Sequence, residues 1–155
     1  MNSAIERLLS LRIKDLMNRH VMAVQADESM RRAAERLREH DVTGAPVVDG
    51  TGRCVGMLSA TDFVYREADS EAAPLYVKHG PCAAYLEELA GEDCVSARMS
   101  PLVQTIDAES PVLNAARMMC QEHIHRLVVV DEQQRPVGIV STLDLVAAMI
   151  AVVEE

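Results

Sequence analysis

The side chains best able to do chemistry in this 155-residue sequence do not assemble into a catalytic set. His123 and His125 alternate, so on a strand they would share a face, but the sequence supplies no third ligand and we expect no metal site. The Gly-Thr-Gly-Arg run at residues 50–53 is too short for a phosphate-binding loop and lacks its Lys-Ser/Thr pair, so it predicts a hairpin turn. There is no nucleophile elbow either, and the sequence indicates that the protein is not an enzyme.

Two aspartates each follow a serine by three residues, as Asp62 follows Ser59 and Asp144 follows Ser141. Each serine ends a strand-like run and opens a predicted helix, which puts each aspartate in a first helical turn. An acid at that position stabilises the helix dipole by roughly a few tenths of a kcal/mol. The second interpretation is that the same two carboxylates bind a ligand. The internal repeat described below is the evidence that favours one interpretation over the other.

The charge and hydropathy of the chain narrow the class of protein. A net charge of -9 argues against a nucleic-acid or anionic-membrane surface, because such binding depends on basic groups that displace counterions from phosphates. No apolar run reaches the ~18 residues of a membrane span. The four cysteines show no zinc-ligand spacing, so we expect reduced thiols. We therefore expect a cytoplasmic protein that binds no nucleic acid, membrane or metal.

An internal repeat organises the chain, because residues 15–67 align without gaps to residues 97–149. The identical pairs include Met17 with Met99, Asp49 with Asp131, Gly56 with Gly138, and Asp62 with Asp144. Both copies also carry apolar residues at i, i+3, i+4 and i+7, which predicts a short helix with one buried face in each copy. These residues are Met30, Ala33, Ala34 and Leu37 in the first copy, and Val112, Ala115, Ala116 and Met119 in the second. Ser29 and Ser110 are predicted to cap the two helices.

Each repeat is predicted to run strand, helix, strand, strand, helix, with its first strand at residues 21–24 or 103–106. A unit of about 55 residues buries little apolar surface alone. We therefore expect an α+β (mixed α/β) fold in which the two repeats pack sheet to sheet with pseudo-two-fold symmetry. The predicted domains are an N-terminal helix (1–12), repeat one (13–67), an inserted linker with a short helix from Pro81 to Leu89 (68–94), repeat two (95–151) and the C-terminal end (152–155).

The strands of the two copies resemble those of the CBS domain, and the pair resembles a Bateman module. The resemblance is carried by residues 42–49 (VTGAPVVD) and 124–131 (IHRLVVVD), and by residues 55–62 (VGMLSATD) and 137–144 (VGIVSTLD). In this family adenosine ligands lie between the repeats: AMP, ADP or ATP, and in some members NAD or S-adenosylmethionine. The resemblance implies that the aspartate of each Ser-x-x-Asp binds ribose and that the hydroxyls ahead of it meet phosphate or ribose.

Carried over residue by residue, the resemblance implies two unequal ligand sites. Site one combines Met57, Ser59, Thr61 and Asp62 with Leu102, Val103, Ile124, His125, Arg126 and Leu127. Site two combines Ile139, Ser141, Thr142 and Asp144 with His20, Val21, Thr43, Gly44 and Ala45. The Ile-His-Arg-Leu string in site one resembles that of the gamma subunit of AMP-activated kinase, whose His and Arg face phosphates. Site two has Leu143 beside its aspartate and no positive charge, so site one is the predicted site for a phosphorylated ligand.

These features predict a regulatory module that senses an adenosine nucleotide and transmits a conformational change to a partner protein. By resemblance the module should form a homodimer through its helices. The last predicted helix carries an apolar stripe made of Val146, Met149, Ile150 and Val153. The other repeat, the N-terminal helix or a second chain must cover it, and it supplies the apolar surface for such a dimer. The alternative function is a scaffold for dimerisation or protein interaction that binds no nucleotide. A hydrolase or transferase acting on nucleotides would need a general base beside the phosphate, and the sequence identifies none.

Overall fold

The computed structural model describes residues 3–68, 94–101 and 103–154, with the side chains of residues 65–68 left out of the description. The fold is mixed α+β, with two three-stranded sheets and helices on each, as the sequence predicts. The chain divides into two compact units. Unit 1 comprises Met1–Val21 and Gln104–Glu155, and unit 2 comprises Met22–Val103.

Unit 2 contains the strands and helices of the first repeat. Its elements are β1 (Val24–Gln25), α3 (Met30–Glu39), β2 (Gly44–Val48), β3 (Cys54–Ser59), α4 (Ala60–Ala68) and the one-turn helix α5 (Val95–Arg98). The sheet order is β1-β2-β3, in which β1 is parallel to β2 and β3 is antiparallel to it. The first strand begins later than residues 21–24 predict, because only Val24 and Gln25 pair with β2.

The first apolar face predicted from sequence is confirmed in α3. Met30, Ala33 and Leu37 are buried and join Val24, Val47, Leu58 and others in the core of unit 2. The hydroxyl of Ser29 accepts a hydrogen bond from the Arg32 N–H at 3.1 Å, so the predicted cap is also confirmed. Burial of these apolar side chains, each contributing roughly 1.5–3 kcal/mol when large, holds the helix on the sheet.

Unit 1 contains the strands and helices of the second repeat. Its elements are α1 (Ser3–Ser10), α2 (Ile13–Leu16), β4 (Thr105–Asp107), α6 (Val112–Glu122), β5 (Arg126–Val130), β6 (Pro136–Ser141) and α7 (Thr142–Glu154). The sheet order β4-β5-β6 repeats the topology of unit 2. Val112, Ala115 and Met119 are buried as predicted. Ser110 does not cap α6, because the helix begins at Val112 and the capping position falls on Pro111.

Two segments join the unit that holds the other repeat's strands, and we call residues 11–18 and 94–100 the crossing segments. The first precedes β1 in sequence but lies in unit 1, where Ile13 and Met17 enter the core beside Leu127 and Val140. The second precedes β4 in sequence but lies in unit 2, where Val95 is fully buried in the core. The predicted domain boundaries follow the repeats and stay a prediction beside this division into compact units.

Each crossing segment ends by pairing with the strand that leads to a Ser-x-x-Asp sequence. Asn18 and Ile139 exchange two backbone hydrogen bonds of 2.8 and 3.0 Å, and Met57 and Ser100 exchange two of 3.0 and 2.9 Å. Each segment also places a methionine against a glycine of the same strand. A Cβ added at Gly138 would lie 2.6 Å from the Met17 Sδ, and one at Gly56 would collide with Met99. The repeated Gly and Met are therefore a packing pair.

The thiols do not share one state. Cys54 and Cys120 are free, whereas Cys94 is disulfide-bonded, so the expectation of four reduced cysteines is wrong for Cys94. The predicted helix from Pro81 to Leu89 lies outside the described residues. No helix in the described ranges is long and apolar enough to cross a membrane.

Candidate functional site

The junction between the last strand and the last helix has the same geometry in both units, and we call it the Ser–Asp corner. In unit 2, Ser59 ends β3 and Asp62 lies in the first turn of α4. In unit 1, Ser141 ends β6 and Asp144 lies in the first turn of α7. The sequence therefore located these four residues correctly relative to the strand and helix ends.

In both corners one carboxylate oxygen closes the start of the helix. The Asp62 Oδ2 accepts hydrogen bonds from the Ser59 N–H at 2.7 Å and the Ser59 hydroxyl at 3.3 Å. The Asp144 Oδ2 accepts from the Ser141 N–H at 2.7 Å and its hydroxyl at 2.8 Å, while the Asp144 N–H donates to the Ser141 Oγ at 3.2 Å. In the unit 1 corner this reciprocal pattern is a capping box, and in both corners the aspartate is an acid of the first helical turn, as predicted.

Capping uses only half of each carboxylate. Among the described residues no group donates to Oδ1 of Asp62 or of Asp144. A carboxylate oxygen has two lone pairs, so each corner keeps an acceptor for the hydroxyl groups of a ligand. Helix capping and ligand binding are therefore compatible roles for the same residue.

The carboxyl of Asp62 is half-buried, and its environment disfavours the charged form. Burial raises the pKa of Asp62, and the two hydrogen bonds from Ser59 only partly offset that effect. A carboxylate that has lost part of its hydration gains more from a new hydrogen-bond donor than a fully hydrated one does.

The strand beside each corner supplies the neighbouring side chains. The Thr43 carbonyl accepts from the Ala60 N–H at 2.9 Å, and the His125 carbonyl accepts from the Thr142 N–H at 3.0 Å. These bonds fix the start of β2 against α4 and the start of β5 against α7. In the sheet register, Gly44 lies opposite Ser59 and Arg126 lies opposite Ser141.

The residues of each predicted site are divided between the two compact units. Unit 2 brings together Met57, Ser59, Thr61, Asp62 and Val103 of site one with Thr43, Gly44 and Ala45 of site two. Unit 1 brings together His20, Val21, Ile139, Ser141, Thr142 and Asp144 of site two with Ile124, His125, Arg126 and Leu127 of site one. Leu102 lies outside the described residues. Each predicted site draws on both units, and that grouping stays a prediction.

Exposure separates the site residues that can touch a ligand from those that cannot. His125, Arg126 and Thr61 are exposed, whereas the side chains of Ala45 and Leu127 are buried in the cores. With 0% of Ala45 and 1% of Leu127 exposed, neither residue presents surface to a ligand. Sequence reasoning missed Asn18 and Ser100, which pair with the strands of the corners, because their partners lie more than 40 residues away in the sequence and no local pattern marks the pairing.

Metal ligands do not gather in the described part of the chain, where no three His, Cys, Asp or Glu side chains lie close enough to hold an ion. His123 is the left-handed residue that caps the end of α6, with φ of 53°. Both His123 and His125 come before β5, which begins at Arg126, so the two histidines do not share a strand face.

The two repeated sheets and corners define a pair of CBS domains. The CBS domain profile matches residues 13–69 and 93–151, and the chain belongs to this family. The predicted tandem pair is thereby confirmed. Pairs of CBS domains are regulatory modules.

This chain covers most of the length of one curated relative and less than half of another. Hypoxic response protein 1 of Mycobacterium tuberculosis is 30% identical over 132 residues, which cover 85% of this chain and 80% of that protein. Uncharacterized protein MJ0188 of Methanocaldococcus jannaschii is 25% identical over 142 residues, covering 92% of this chain but only 45% of that protein.

Three solved structures share the fold at 23% identity each. The CBS domain pair of protein MJ0100, in complex with methylthioadenosine and S-adenosyl-L-methionine, has a TM-score of 0.72 and covers 91% of this chain and 97% of that one. CBSX2 in complex with AMP has a TM-score of 0.71, with 93% and 98% covered. Hypoxic Response Protein I, with two coordinated zinc ions, has a TM-score of 0.68, with 88% and 98% covered.

Proposed function

We propose that the protein is a regulatory module that binds an adenosine nucleotide of the AMP, ADP or ATP class at its Ser–Asp corners. The single observation that carries the proposal is that both corners hold an aspartate whose Oδ2 is engaged in capping while its Oδ1 accepts no hydrogen bond from the described residues. An oxygen so placed can accept from the ribose hydroxyls. Hydrogen bonds to a charged group contribute roughly 1.5–3 kcal/mol each.

The ligands of structural neighbours support the adenosine class. MJ0100 was crystallised with methylthioadenosine and S-adenosyl-L-methionine, and CBSX2 with AMP. Adenosine is common to all three compounds, while phosphate and sulfonium groups are not. These ligands support the nucleoside part of the proposal, and NAD and S-adenosylmethionine are therefore tested beside the nucleotides.

Regulation requires that the ligand prefer one conformation of the protein over another, because equal affinity for both shifts no population. We propose that this preference changes the contact of the module with a partner protein. We also propose that the protein is cytoplasmic, is not an enzyme and acts as a homodimer. Apolar side chains along α7 support the dimer, since Leu143, Val146, Met149, Ile150 and Val153 are exposed. Patches of this kind are typical of protein interfaces.

One observation favours the second candidate, an interaction scaffold that binds no nucleotide. The hydrogen bonds that Asp62 and Asp144 accept at the helix starts account for an aspartate at each position without any ligand. The scaffold would then depend on the apolar side chains of α7 alone.

A thermal-shift panel of AMP, ADP, ATP, NAD and S-adenosylmethionine separates the two functions. We expect the unfolding temperature to rise with at least one compound, because a ligand that binds only the native state stabilises it. The double variant Asp62→Ala/Asp144→Ala should lose the shift. The matched control is Asp15→Ala, since the Asp15 Oδ2 accepts from the Arg12 N–H at 2.8 Å and caps α2 in the same way. No shift with any compound would reject nucleotide binding in favour of the scaffold.

A further inference from the structure

The two methionines that pack on strand glycines differ in how far solvent can reach them. A Cβ added at Gly56 would lie 3.0 Å from the Met99 Cγ and 3.0 Å from the Ser100 carbonyl oxygen, and at Gly138 the three nearest atoms all belong to Met17. Met17 is 9% exposed and is part of the core of unit 1. Met99 is half-buried and packs against the core of unit 2 from outside. Solvent therefore has more access to Met99 than to Met17.

Met99 lies directly beside the backbone pairing that attaches the crossing segment 94–100 to β3. The next residue, Ser100, exchanges hydrogen bonds of 3.0 and 2.9 Å with Met57, which follows Gly56 in the strand. A thioether is apolar and flexible enough to fill the narrow space over a glycine. A larger or more polar group at the Met99 sulfur would therefore disturb the pairing of Met57 with Ser100.

Oxidation by a peroxide makes the sulfur both larger and more polar. A lone pair of the thioether sulfur attacks one oxygen of hydrogen peroxide, the O–O bond breaks, and that oxygen stays on the sulfur while the other leaves as water. The sulfur is oxidised by two electrons, the peroxide is reduced by two, and no other reactant is needed. The product is methionine sulfoxide, which disrupts apolar packing. The space over Gly56 is already filled, and a polar oxygen kept from water without a donor is unfavourable.

We propose that Met99 is an oxidation site for peroxides, and that its sulfoxide releases the crossing segment 94–100 from unit 2. Release removes the fully buried Val95 from the core and breaks the two hydrogen bonds between Met57 and Ser100. Unit 1 keeps the crossing segment 11–18, because the equivalent Met17 is nearly enclosed. This proposal depends on packing alone and holds whether or not the protein binds a nucleotide.

Peroxide treatment of the full chain, followed by peptide mapping and amide hydrogen exchange, tests the proposal. We expect Met99 to gain one oxygen faster than Met17 does. Exchange of the Val95 and Ser100 N–H groups should then quicken at least about tenfold, because local opening exposes them. The N–H groups of Ile13 and Asn18 hold the equivalent positions in unit 1 and should exchange at an unchanged rate.

Two variants separate Met99 from the other oxidisable side chains. Met99→Leu nearly conserves the volume and should abolish the effect of peroxide, although the free thiols remain in place. Met99→Gln puts a polar group of similar length at this position and should quicken the exchange of Val95 and Ser100 without peroxide. The matched control is Met149→Gln, at a methionine of α7 that is 48% exposed, and it should leave exchange in unit 2 unchanged.

Three results would overturn the proposal. The first is a Met99 that stays unmodified while other methionines of the chain are oxidised. The second is a Met99 sulfoxide with unchanged exchange at Val95 and Ser100, and the third is a peroxide effect that persists in Met99→Leu. Should Met99→Leu fail to fold, the wild-type protein decides: loss of protection should follow the amount of Met99 sulfoxide, and a loss that follows another residue would also overturn the proposal.

Discussion

Asp62 shows how one side chain can serve both folding and binding. Its Oδ2 receives the backbone N–H of Ser59, which would otherwise be unpaired at the start of α4. The other oxygen is left for a ligand, and partial burial makes the charged form less favourable than it is in water. The same group therefore couples ligand binding to its own protonation.

We expect adenosine affinity at the unit 2 corner to fall as the pH is lowered. Burial raises the pKa of Asp62, so the carboxylate is lost at a higher pH than an ordinary Asp near about 3.9. The measurement is calorimetric titration of adenosine between about pH 7.5 and pH 4.5 in the Asp144→Asn background, where only the unit 2 corner remains intact. Affinity that stays constant across this range would contradict the prediction.

The control for this experiment is Asp62→Asn, which should bind weakly at every pH.

The raised pKa of Asp62 also determines how this residue changes the stability of the protein with pH. Because the native pKa is raised, the native state holds this proton more tightly than the unfolded chain does, and the resulting stability is present below about pH 3.9 and lost as the pH rises through the native pKa. Asp62→Asn, which cannot lose that stability, should therefore unfold no more easily than wild type at neutral pH.

At the scale of elements, the crossing segments depend on glycine positions in the strands they meet. Gly138 lies in β6 and its missing Cβ makes room for Met17, which is 9% exposed and has little freedom to move away. Gly50, by contrast, has no heavy atom within 4 Å of the place a Cβ would take. The two glycines thus form a matched pair for substitution.

Gly138→Ala should lower the free energy of unfolding by about 1–3 kcal/mol, the usual cost of overpacking a filled core. Urea denaturation measures this value, and Gly50→Ala should change it by less than about 0.5 kcal/mol. Because Met17→Ala removes the colliding thioether, the double variant Met17→Ala/Gly138→Ala should lose less than the sum of the single variants. Equal free energies of unfolding for Gly138→Ala and Gly50→Ala would contradict the prediction and show that the Met17 side chain moves away from the new methyl group without destabilising the protein.

The elements also show what the sequence can and cannot predict. The spacing of Met30, Ala33 and Leu37 identifies a buried helix face because that information is local. The Ser-x-x-Asp corners are equally local and were located correctly. No local pattern says which sheet Met17 or Met99 will join, since that choice depends on contacts far away in the sequence. For the same reason the partner of Arg126 within a corner required the strand register.

At the scale of the whole molecule, α7 carries an apolar surface that the described residues leave exposed. Leu143 is 74% exposed and Val153 is 78% exposed, whereas Leu145 and Ala148 of the same helix are buried. Apolar side chains in such numbers on one exposed helix face are a cost in water that an interface removes. This surface is where the proposed homodimer would form.

Ile150→Glu should convert the proposed dimer to a monomer, because a charge on the apolar surface of α7 would be buried without a partner. Sedimentation equilibrium measures the change, and we expect the dimer to dissociate at least about tenfold more readily. Val64→Glu is the matched control, an exposed apolar residue of α4. A wild-type monomer would reject the dimer, and a dimer unaffected by Ile150→Glu would exclude α7 as its interface.

The repeats and the compact units have different boundaries, and this difference determines which fragments of the protein can fold when expressed alone. A piece spanning 13–69 would take Ile13 and Met17 away from the side chains they pack among, and would leave behind Val95 and Met99, which fill its own interior. The stretch that recurs along the sequence is thus not the stretch that closes its own core. A fragment that contains one repeat alone therefore lacks side chains that its own hydrophobic core requires.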